Sequence, residues 1–349
     1  MKKTALSLLF LSLAGFTAAE AADKLVFAPK DGPGKGKKVV LLSGDEEYRS
    51  EEALPMLAKI LSQKHGFECT VLFSLDKDGT INPNLHDSLP GAEALDTADV
   101  VVMSLRFRDW TDDAMKHFDA AKKRGVAYVG LRTSTHAFSM NGKSPFKEYS
   151  SFGKKVLGEG WVSHWAGHKS QATKGIIEEA NKGSDLLKGV SNLFVTTDVY
   201  EAYPPADVKV LVRGQALAGM TPDSPPATNM KKNRDKVEQG INDPMMPIAW
   251  SREYKEEDGK VNKILCTTMG AANDLENEGL RRLVVNSVYW GAGLPVPDKA
   301  DVTIVDEYHP TMYGFDGFRT GLKPEDMELG KALPDPASVP HGDPNKKKK

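Results

Sequence analysis

The sequence has few of the residues that would place it in a specialised class of protein. It contains only two cysteines among 349 residues, so its stability need not depend on disulfides. Its 46 lysines and arginines nearly balance its 48 acidic residues, and the net charge of −2 offers nothing to attract nucleic acid. Hydrophobic residues make up 40% of the chain, enough to build the core of one large α/β domain with additions, or of two domains.

Both cysteines lie in β-rich apolar runs, Cys69 in FECTVLF and Cys266 in KILCTTM. A cysteine in such a run usually behaves as a small buried hydrophobe. We therefore expect two buried thiols. A disulfide between them remains an alternative in an oxidising compartment.

A long apolar run occurs only at the N-terminus. Residues 1–21 join Lys2 and Lys3 to an apolar stretch from Ala5 to Phe16 and then to small residues ending in AEA, which is the layout of a cleavable secretory signal. The stretch is shorter than the roughly 20 residues that cross a bilayer. We expect cleavage after Ala21, a periplasmic or secreted protein, and no membrane span in the mature chain. Loss of two lysines and one glutamate moves the net charge from −2 to −3.

Strands and helices alternate from residue 37 onward. Continuous apolar runs predict strands at 37–44, 69–75, 98–105 and 127–132, and helical spacing predicts helices from Ser50 to Gly66 and over 111–125. This alternation predicts α/β architecture with a doubly wound, mostly parallel sheet flanked by helices. Short extended runs in 173–217 suggest strands added to the same sheet, and the polar segment 220–243 reads as an exposed insertion.

The predicted organisation places one domain at 37–294. It is preceded by a linker at 22–36 and followed by an extension at 295–321 that packs on the domain. Residues 322–349, with repeated proline and a terminal KKKK, are expected to be disordered. Strand 246–254, strand 263–270 and an amphipathic helix over 275–293 complete the domain.

Three loops with unusual polar content follow predicted strands: 44–49, 105–110 and 132–138. Ligands of such sheets bind at the carboxyl ends of the strands, where neighbouring loops converge. The loops also have a structural interpretation, because acidic residues complement a helix dipole and arginines pair with nearby carboxylates. The candidate ligand-binding residues from these loops are Glu47, Tyr48, Arg49, Arg106, Arg108, Arg132 and Thr133, with His136 as a candidate acid or base.

The segment GWVSHWAGHKS holds His164 and His168 four residues apart. In a helix this spacing would put both imidazoles on one side, which suits a divalent metal. Gly160 and Gly167 argue against a regular helix, so the metal stays open.

Tryptophans flank these histidines at 161 and 165. Tryptophan rings stack on sugars, although packing at a domain edge is the commoner use; Trp165 is the candidate for ligand binding. The run TTDVYEAY adds Asp198 and Tyr200 at a further strand end.

In their order along the chain, YVGLRTSTHAF, WVSHWAGH, TTDVYEAY, PIAWSREY and ILCTTMGAANDLENEGLRRLVVNSVYWGAG resemble the ThuA-like family, which is named for trehalose utilisation. The resemblance spans roughly residues 37–294. It implies the class I glutamine amidotransferase-like fold, which is also flavodoxin-like, and a role in carbohydrate metabolism. Amidotransferases of this fold carry a cysteine in the turn where this chain has Arg132 and Thr133, so glutaminase chemistry through a thiolate is not expected.

Two positions also depart from the pattern of the ThuA-like family itself. Many ThuA-like proteins have a histidine at the first turn and a Gly-His pair after the late strand, where this chain has Arg132 and Gly270-Ala271. The departures leave four candidate catalytic residues, His136, His164, His168 and Asp198.

Three functions follow from these residues. The first is acid/base chemistry by histidine on trehalose or a keto-glycoside, with arginines holding the oxygens. The second is a sugar-binding or scaffold protein without catalysis. The third is a hydrolase using Ser134 or Thr133, although the chain lacks the G-x-S-x-G pattern. The partner is a small carbohydrate in the first two cases, and a homodimer stays open.

Overall fold

The computed structural model describes residues 23–342. The predicted signal segment 1–21 lies outside this range. The three α-helices of the described part are α1 (Ser50–His65), α2 (Asp112–Lys123) and α3 (Glu278–Gly291). Its strands are β1 (Lys24–Phe27), β2 (Lys38–Gly44), β3 (Glu68–Leu72), β4 (Val100–Leu105), β5 (Ala127–Leu131), β6 (Ser163–His164), β7 (Thr173–Ile177), β8 (Phe194–Val195), β9 (Tyr200–Glu201), β10 (Lys209–Ala216), β11 (Met230–Lys232), β12 (Glu238–Gly240), β13 (Met246–Lys255) and β14 (Val261–Thr267).

Ten strands form one sheet in the order β1-β3-β2-β4-β5-β14-β13-β10-β7-β8. The five strands from β3 to β14 run parallel to their neighbours in that order. The remaining strands join antiparallel, with β1 at one edge and β13, β10, β7 and β8 at the other. The protein is therefore a mixed α/β structure with a parallel centre, and the segment 173–217 does add strands to the same sheet.

Alternating side chains of the central strands face two hydrophobic cores. Helices α1 and α3 pack in one core and α2 packs in the other, because each helix presents an apolar stripe to the sheet. Cys69 lies in the first core and Cys266 in the second. Both thiols are free and buried, which confirms the prediction and leaves no disulfide between them.

Local signals set the helix ends. Helix α2 begins after Thr111, whose hydroxyl accepts a hydrogen bond from the Ala114 N–H, and α3 begins after Asn277, whose side chain accepts one from Leu280 N–H at 3.0 Å. Ser50 is of a residue type that often caps helices, but the cap position of α1 is Arg49 in a left-handed conformation (φ 59°). The Ser50 hydroxyl instead accepts a hydrogen bond from the Asp45 N–H at 3.0 Å.

The segment 220–243 folds back on the domain as the hairpin β11–β12. Its surface is mostly exposed, as predicted, but Ile241 is buried, and Lys231 donates a hydrogen bond to the His164 carbonyl at 2.5 Å. The insertion therefore supports the segment around His164.

In the segment 295–321, Val296 and Val302 belong to the core that also contains α1 and α3. The following residues 322–342, expected to be disordered, also lie against it, with Leu322, Met327 and Leu333 buried. Composition suggested otherwise because these three apolar side chains are widely spaced among polar residues. The structure differs from the expectation here because they share the core that contains α1.

Within residues 23–342, no helix has both the length and the apolar character needed to span a bilayer.

Candidate functional site

The candidate site lies where the parallel strands end. Gly44 of β2 pairs with Leu105 of β4, and Leu131 of β5 pairs with Thr267 of β14, so the loops that follow these strands leave the same edge of the sheet. The segments around His164 and Asp198 reach this edge from the second half of the chain. The structure therefore brings together the loops that the sequence singled out.

Arg132 follows β5 directly, with a left-handed φ of 43°, and its side chain is completely buried. One terminal nitrogen donates to the carbonyls of Asp198 (2.8 Å) and Thr268 (2.7 Å), and the other donates to the Asp198 carboxylate at 2.9 Å. The guanidinium also lies 3.7 Å from the ring centroid of Tyr200 and 4.7 Å from that of Tyr48. Both terminal nitrogens of this buried cation are hydrogen-bonded within the protein, whereas its Nε has no hydrogen-bond partner among residues 23–342.

The expectation that Arg132 binds a ligand is not supported by this geometry. Its exposed fraction is 0%, and its terminal nitrogens are already hydrogen-bonded to the protein. Its carboxylate partner is Asp198, and not Glu46 or Glu47 of the neighbouring loop. Arg132 is a positioning residue that holds Asp198.

Asp198 connects Arg132 to the two histidines. Its Oδ2 lies 2.7 Å from His164 Nδ1, and its Oδ1 lies 3.2 Å from His168 Nδ1. Burial opposes ionisation of Asp198, but the charge of Arg132 and the hydrogen bonds from both imidazoles outweigh it and hold the pKa well below its usual range. Because the carboxylate stays ionised, each Nδ1 donates to it. The Nε2 lone pair of His164 is then available at a side chain that is 36% exposed.

Glu47 provides a second carboxylate on the other side of His168. Its Oε1 lies 3.5 Å from His168 Nε2, and burial together with the charge of Asp45 raises the Glu47 pKa. The ring of His168 therefore lies between two acids. Both of its nitrogens can donate at once only as an imidazolium.

The two candidate arginines of the loop 105–110 are not alike. Arg108 is fully buried, with its guanidinium 2.7 Å from Glu46 and hydrogen-bonded to the Pro83 and Leu85 carbonyls, so it is structural. Arg106 also pairs with Glu46, and it keeps 19% of its side chain exposed at the site. Only Arg106 can reach a ligand.

Three other candidates are committed to the fold. Arg49 donates hydrogen bonds to the carbonyl oxygens of Glu47 (3.2 Å) and Gly314 (2.6 Å). Thr133 donates to Asp45 within the buried interior. Trp165 is buried, and its ring nitrogen donates to the Ile241 carbonyl at 2.7 Å. The sequence alone could not separate these three residues from ligand-binding residues, because the segments that bury their side chains are distant along the chain.

Tyr48 and Tyr200 form the floor beneath the histidines. Both are buried, their hydroxyls lie 3.3 Å apart, and the Tyr48 hydroxyl also accepts from Arg132 at 3.2 Å. Burial raises the pKa of Tyr48 to about 12, so it stays protonated. The two rings pack against the guanidinium of Arg132.

His136 packs among aromatic rings, with centroids 4.9 Å from Phe107 and 5.1 Å from Trp161. Burial and the positive charge of Arg106 lower its pKa to about 3. It therefore remains neutral at neutral pH, which removes it from the role of general acid. The geometry assigns it to the wall of the site.

Trp161 was not among the selected site residues, but it is the tryptophan that faces the site. It is 39% exposed, and its ring lies 5.0 Å from His164 and 4.6 Å from Tyr200. The sequence signal was the pair of tryptophans around His164. Only the fold decides that Trp161 is exposed while Trp165 is buried.

His164, His168 and Asp198 could also hold a divalent cation, since one ligand atom from each lies within 4.8 Å of the others. Two imidazoles and a carboxylate are a ligand set that zinc accepts, and a bound ion would supply Lewis-acid chemistry. A cation there would have to displace the histidine N–H groups from Asp198. It would also share this carboxylate with the guanidinium of Arg132, which lies 2.9 Å from it. A metal ion at these ligand atoms would therefore replace the hydrogen bonds of both histidines to Asp198.

Among solved structures, the chain is similar to a ThuA-like protein from Bacteroides uniformis, with 18% identity and a TM-score of 0.45 over 79% of this chain and 95% of that one. It is also similar to a ThuA-like protein from Parabacteroides merdae, with 14% identity and a TM-score of 0.49 over 77% and 96%. Both are described as ThuA-like, the family that the sequence resembles. No family model matches the chain, and no curated protein matches it.

Proposed function

We propose that this protein binds a small carbohydrate at the site and moves a proton on it through His164, with a keto-glycoside related to trehalose as the substrate class. The observation that carries the proposal is the sequence of contacts Arg132–Asp198–His164: a buried cation keeps a buried carboxylate ionised, and the carboxylate holds the imidazole. This arrangement leaves one basic nitrogen at the surface. A histidine so oriented is suited to general acid/base catalysis at neutral pH.

The proposed step is removal of a proton from the carbon next to the ketone. His164 Nε2 takes the proton, the C–H electron pair forms the enediolate, and Asp198 stabilises the imidazolium. His168, held between Asp198 and Glu47, donates a hydrogen bond to the ligand oxygen, and Arg106 stabilises the developing negative charge. His164 Nε2 then returns the proton to carbon, which restores the ketone and the neutral imidazole.

The hydrolase alternative loses support from the positions of the hydroxyl groups. Ser134 is buried and donates to the Met103 carbonyl at 2.8 Å, and Thr133 is buried and donates to Asp45. Neither hydroxyl is hydrogen-bonded to a histidine, as an activated nucleophile would be. The non-catalytic sugar-binding alternative uses the same site and differs only in the absence of turnover.

Binding is tested by calorimetry on the chain without residues 1–21, using trehalose, a methyl glucoside and their keto derivatives. His164→Gln removes the proposed base, whereas His117→Gln alters an exposed histidine that pairs with Asp96 and serves as the matched control. We expect the control to behave as wild type. If wild type and both variants bind sugar but none exchanges a proton of the sugar with solvent, the sugar-binding alternative is favoured. If wild type binds none of these sugars, the carbohydrate proposal is wrong. Adding zinc or EDTA to the same samples tests the metal.

Export and the finer fold description belong to the same proposal. Residues 1–21 have the pattern of a secretory signal, so the exported protein should begin at Ala22, which mass spectrometry would reveal. The class I glutamine amidotransferase-like, doubly wound architecture is supported by helices α1 and α3 on one face of the parallel strands and α2 on the other.

A further inference from the structure

The C-terminal extension reaches the candidate site. The Gly314 N–H donates to the Glu47 carbonyl at 2.7 Å, and Arg49 donates to the Gly314 carbonyl at 2.6 Å. On either side of this glycine, Tyr313 lies 5.5 Å from the ring of His168, and Phe315 lies 4.8 Å from the guanidinium of Arg106. This short stretch therefore spans the space between the two groups assigned to the ligand's oxygens.

The stretch is held firmly from both ends. Glu52 of helix α1 accepts hydrogen bonds from Thr311 N–H (2.7 Å) and hydroxyl (2.8 Å) and from Arg319 Nε at 2.9 Å. Glu52 and Arg319 are both completely buried as side chains. Close packing of Gly317 against Arg49 leaves no room for a side chain there, because a Cβ would lie 2.1 Å from an arginine nitrogen. The segment is thus built as a fixed wall.

Phe315 is an aromatic residue whose side chain is not packed into the core of the protein. Its side chain is 55% exposed, and it lies beside the polar groups of the site, where an aromatic ring can line a ligand pocket. Among the phenylalanines, tyrosines and tryptophans of residues 23–342, Trp161 (39%) and Phe315 (55%) are the exposed ones, and both border this site. Trp161 reaches His164 and His136, while Phe315 reaches Arg106.

We infer that Phe315 is a ligand-binding residue. Phe315 and Trp161 form two apolar walls of the site, which contact the C–H groups of a bound pyranose ring. This inference rests on the proposed carbohydrate function. An aromatic ring suits the role because its flat apolar face covers the ring carbons, while Arg106 and the histidines hydrogen-bond the hydroxyl or keto oxygens.

The test compares Phe315→Ala with Met312→Ala by calorimetry against trehalose and keto-trehalose. Met312 lies on the same segment and is similarly exposed at 49%, but it contacts Asn273. We expect Phe315→Ala to weaken binding about tenfold, the effect of one lost aromatic stacking contact. Met312→Ala should bind as wild type, and Phe315→Trp should restore affinity. Neither alanine variant should change the melting temperature appreciably, since both side chains are exposed.

The outcomes separate the two proposals. If wild type binds and His164→Gln abolishes proton exchange but Phe315→Ala binds as wild type, the inference about Phe315 is overturned and the proposed function stands. If Phe315→Ala and Met312→Ala weaken binding equally, a general effect of the segment replaces the specific one. If wild type binds neither sugar, both proposals fail.

Discussion

Replacing Arg132 by methionine should destabilise the protein strongly. Methionine keeps much of the volume but removes the charge that neutralises Asp198, and both side chains are completely buried. Removing one partner of a buried ion pair costs about 3–5 kcal/mol, because the other charge is left in a site from which water is excluded. Loss of the contacts with Tyr48 and Tyr200 adds to this cost. For a domain of this size we expect the melting temperature to fall by roughly 10 °C.

Urea unfolding monitored by circular dichroism measures the free energy of unfolding. The control is Arg234→Met, since the guanidinium of Arg234 also lies over a tyrosine, 4.2 Å from the Tyr203 ring, but its side chain is 44% exposed. The control should lose less than about 1 kcal/mol. Adding Asp198→Asn to Arg132→Met should recover part of the loss because the uncompensated charge is gone. An Arg132→Met variant as stable as wild type would refute the assignment of Arg132 as the buried partner of Asp198.

Three further predictions concern other parts of the molecule. Burial raises the pKa of Glu51 to about 8 from an ordinary 4.5, and neither carboxylate oxygen has a hydrogen-bond partner among residues 23–342. The folded state therefore holds this proton more tightly than the unfolded state between pH 4.5 and 8. As pH rises through that window, the free energy of unfolding of wild type should fall relative to that of Glu51→Gln, by about 1.4 kcal/mol per pH unit at most. A stability difference independent of pH would contradict this. Truncation after Thr320 should lower the melting temperature by several degrees, because it removes three buried apolar side chains. Truncation after Gly342 is the control and should leave the melting temperature unchanged. Equal melting temperatures of the two truncated proteins would show that residues 321–342 add no stability. Ser134→Ala should keep sugar binding and turnover within about twofold, since its hydroxyl faces a carbonyl inside the fold, and loss of turnover alone would revive the hydrolase alternative.

The position of the site could be predicted because the alternation of strands and helices indicates parallel strands, whose carboxyl ends lie at one edge of the sheet. Apolar runs separated by helices indicated parallel strands, and the loops 44–49, 105–110 and 132–138 converge where such strands end. His164 and Asp198 join them as expected from the family resemblance. Their direct contact depends on the pairing of β6 with β9, which two-residue strands do not announce in a sequence.

The role of each side chain could not be predicted, because burial is set by distant parts of the chain. Arg132 and Arg106 look alike in sequence, yet the first is enclosed by Tyr48 and Tyr200 while the second stays at the surface. Phe315 was not singled out because its neighbour Arg106 lies more than 200 residues earlier. Its segment reaches the site through the buried Arg319–Glu52 pair, which leaves no local pattern.

Deuterium exchange into keto-trehalose, followed by NMR in D₂O, tests the central claim most directly. If His164 takes a proton from the carbon next to the ketone, wild type should exchange that proton for deuterium. His164→Gln should lose the exchange entirely, Asp198→Asn should slow it by about 10²-fold or more, and His117→Gln should match wild type. Exchange at the wild-type rate in His164→Gln, or bound keto-trehalose that never exchanges in wild type, would contradict the account of His164 as the base.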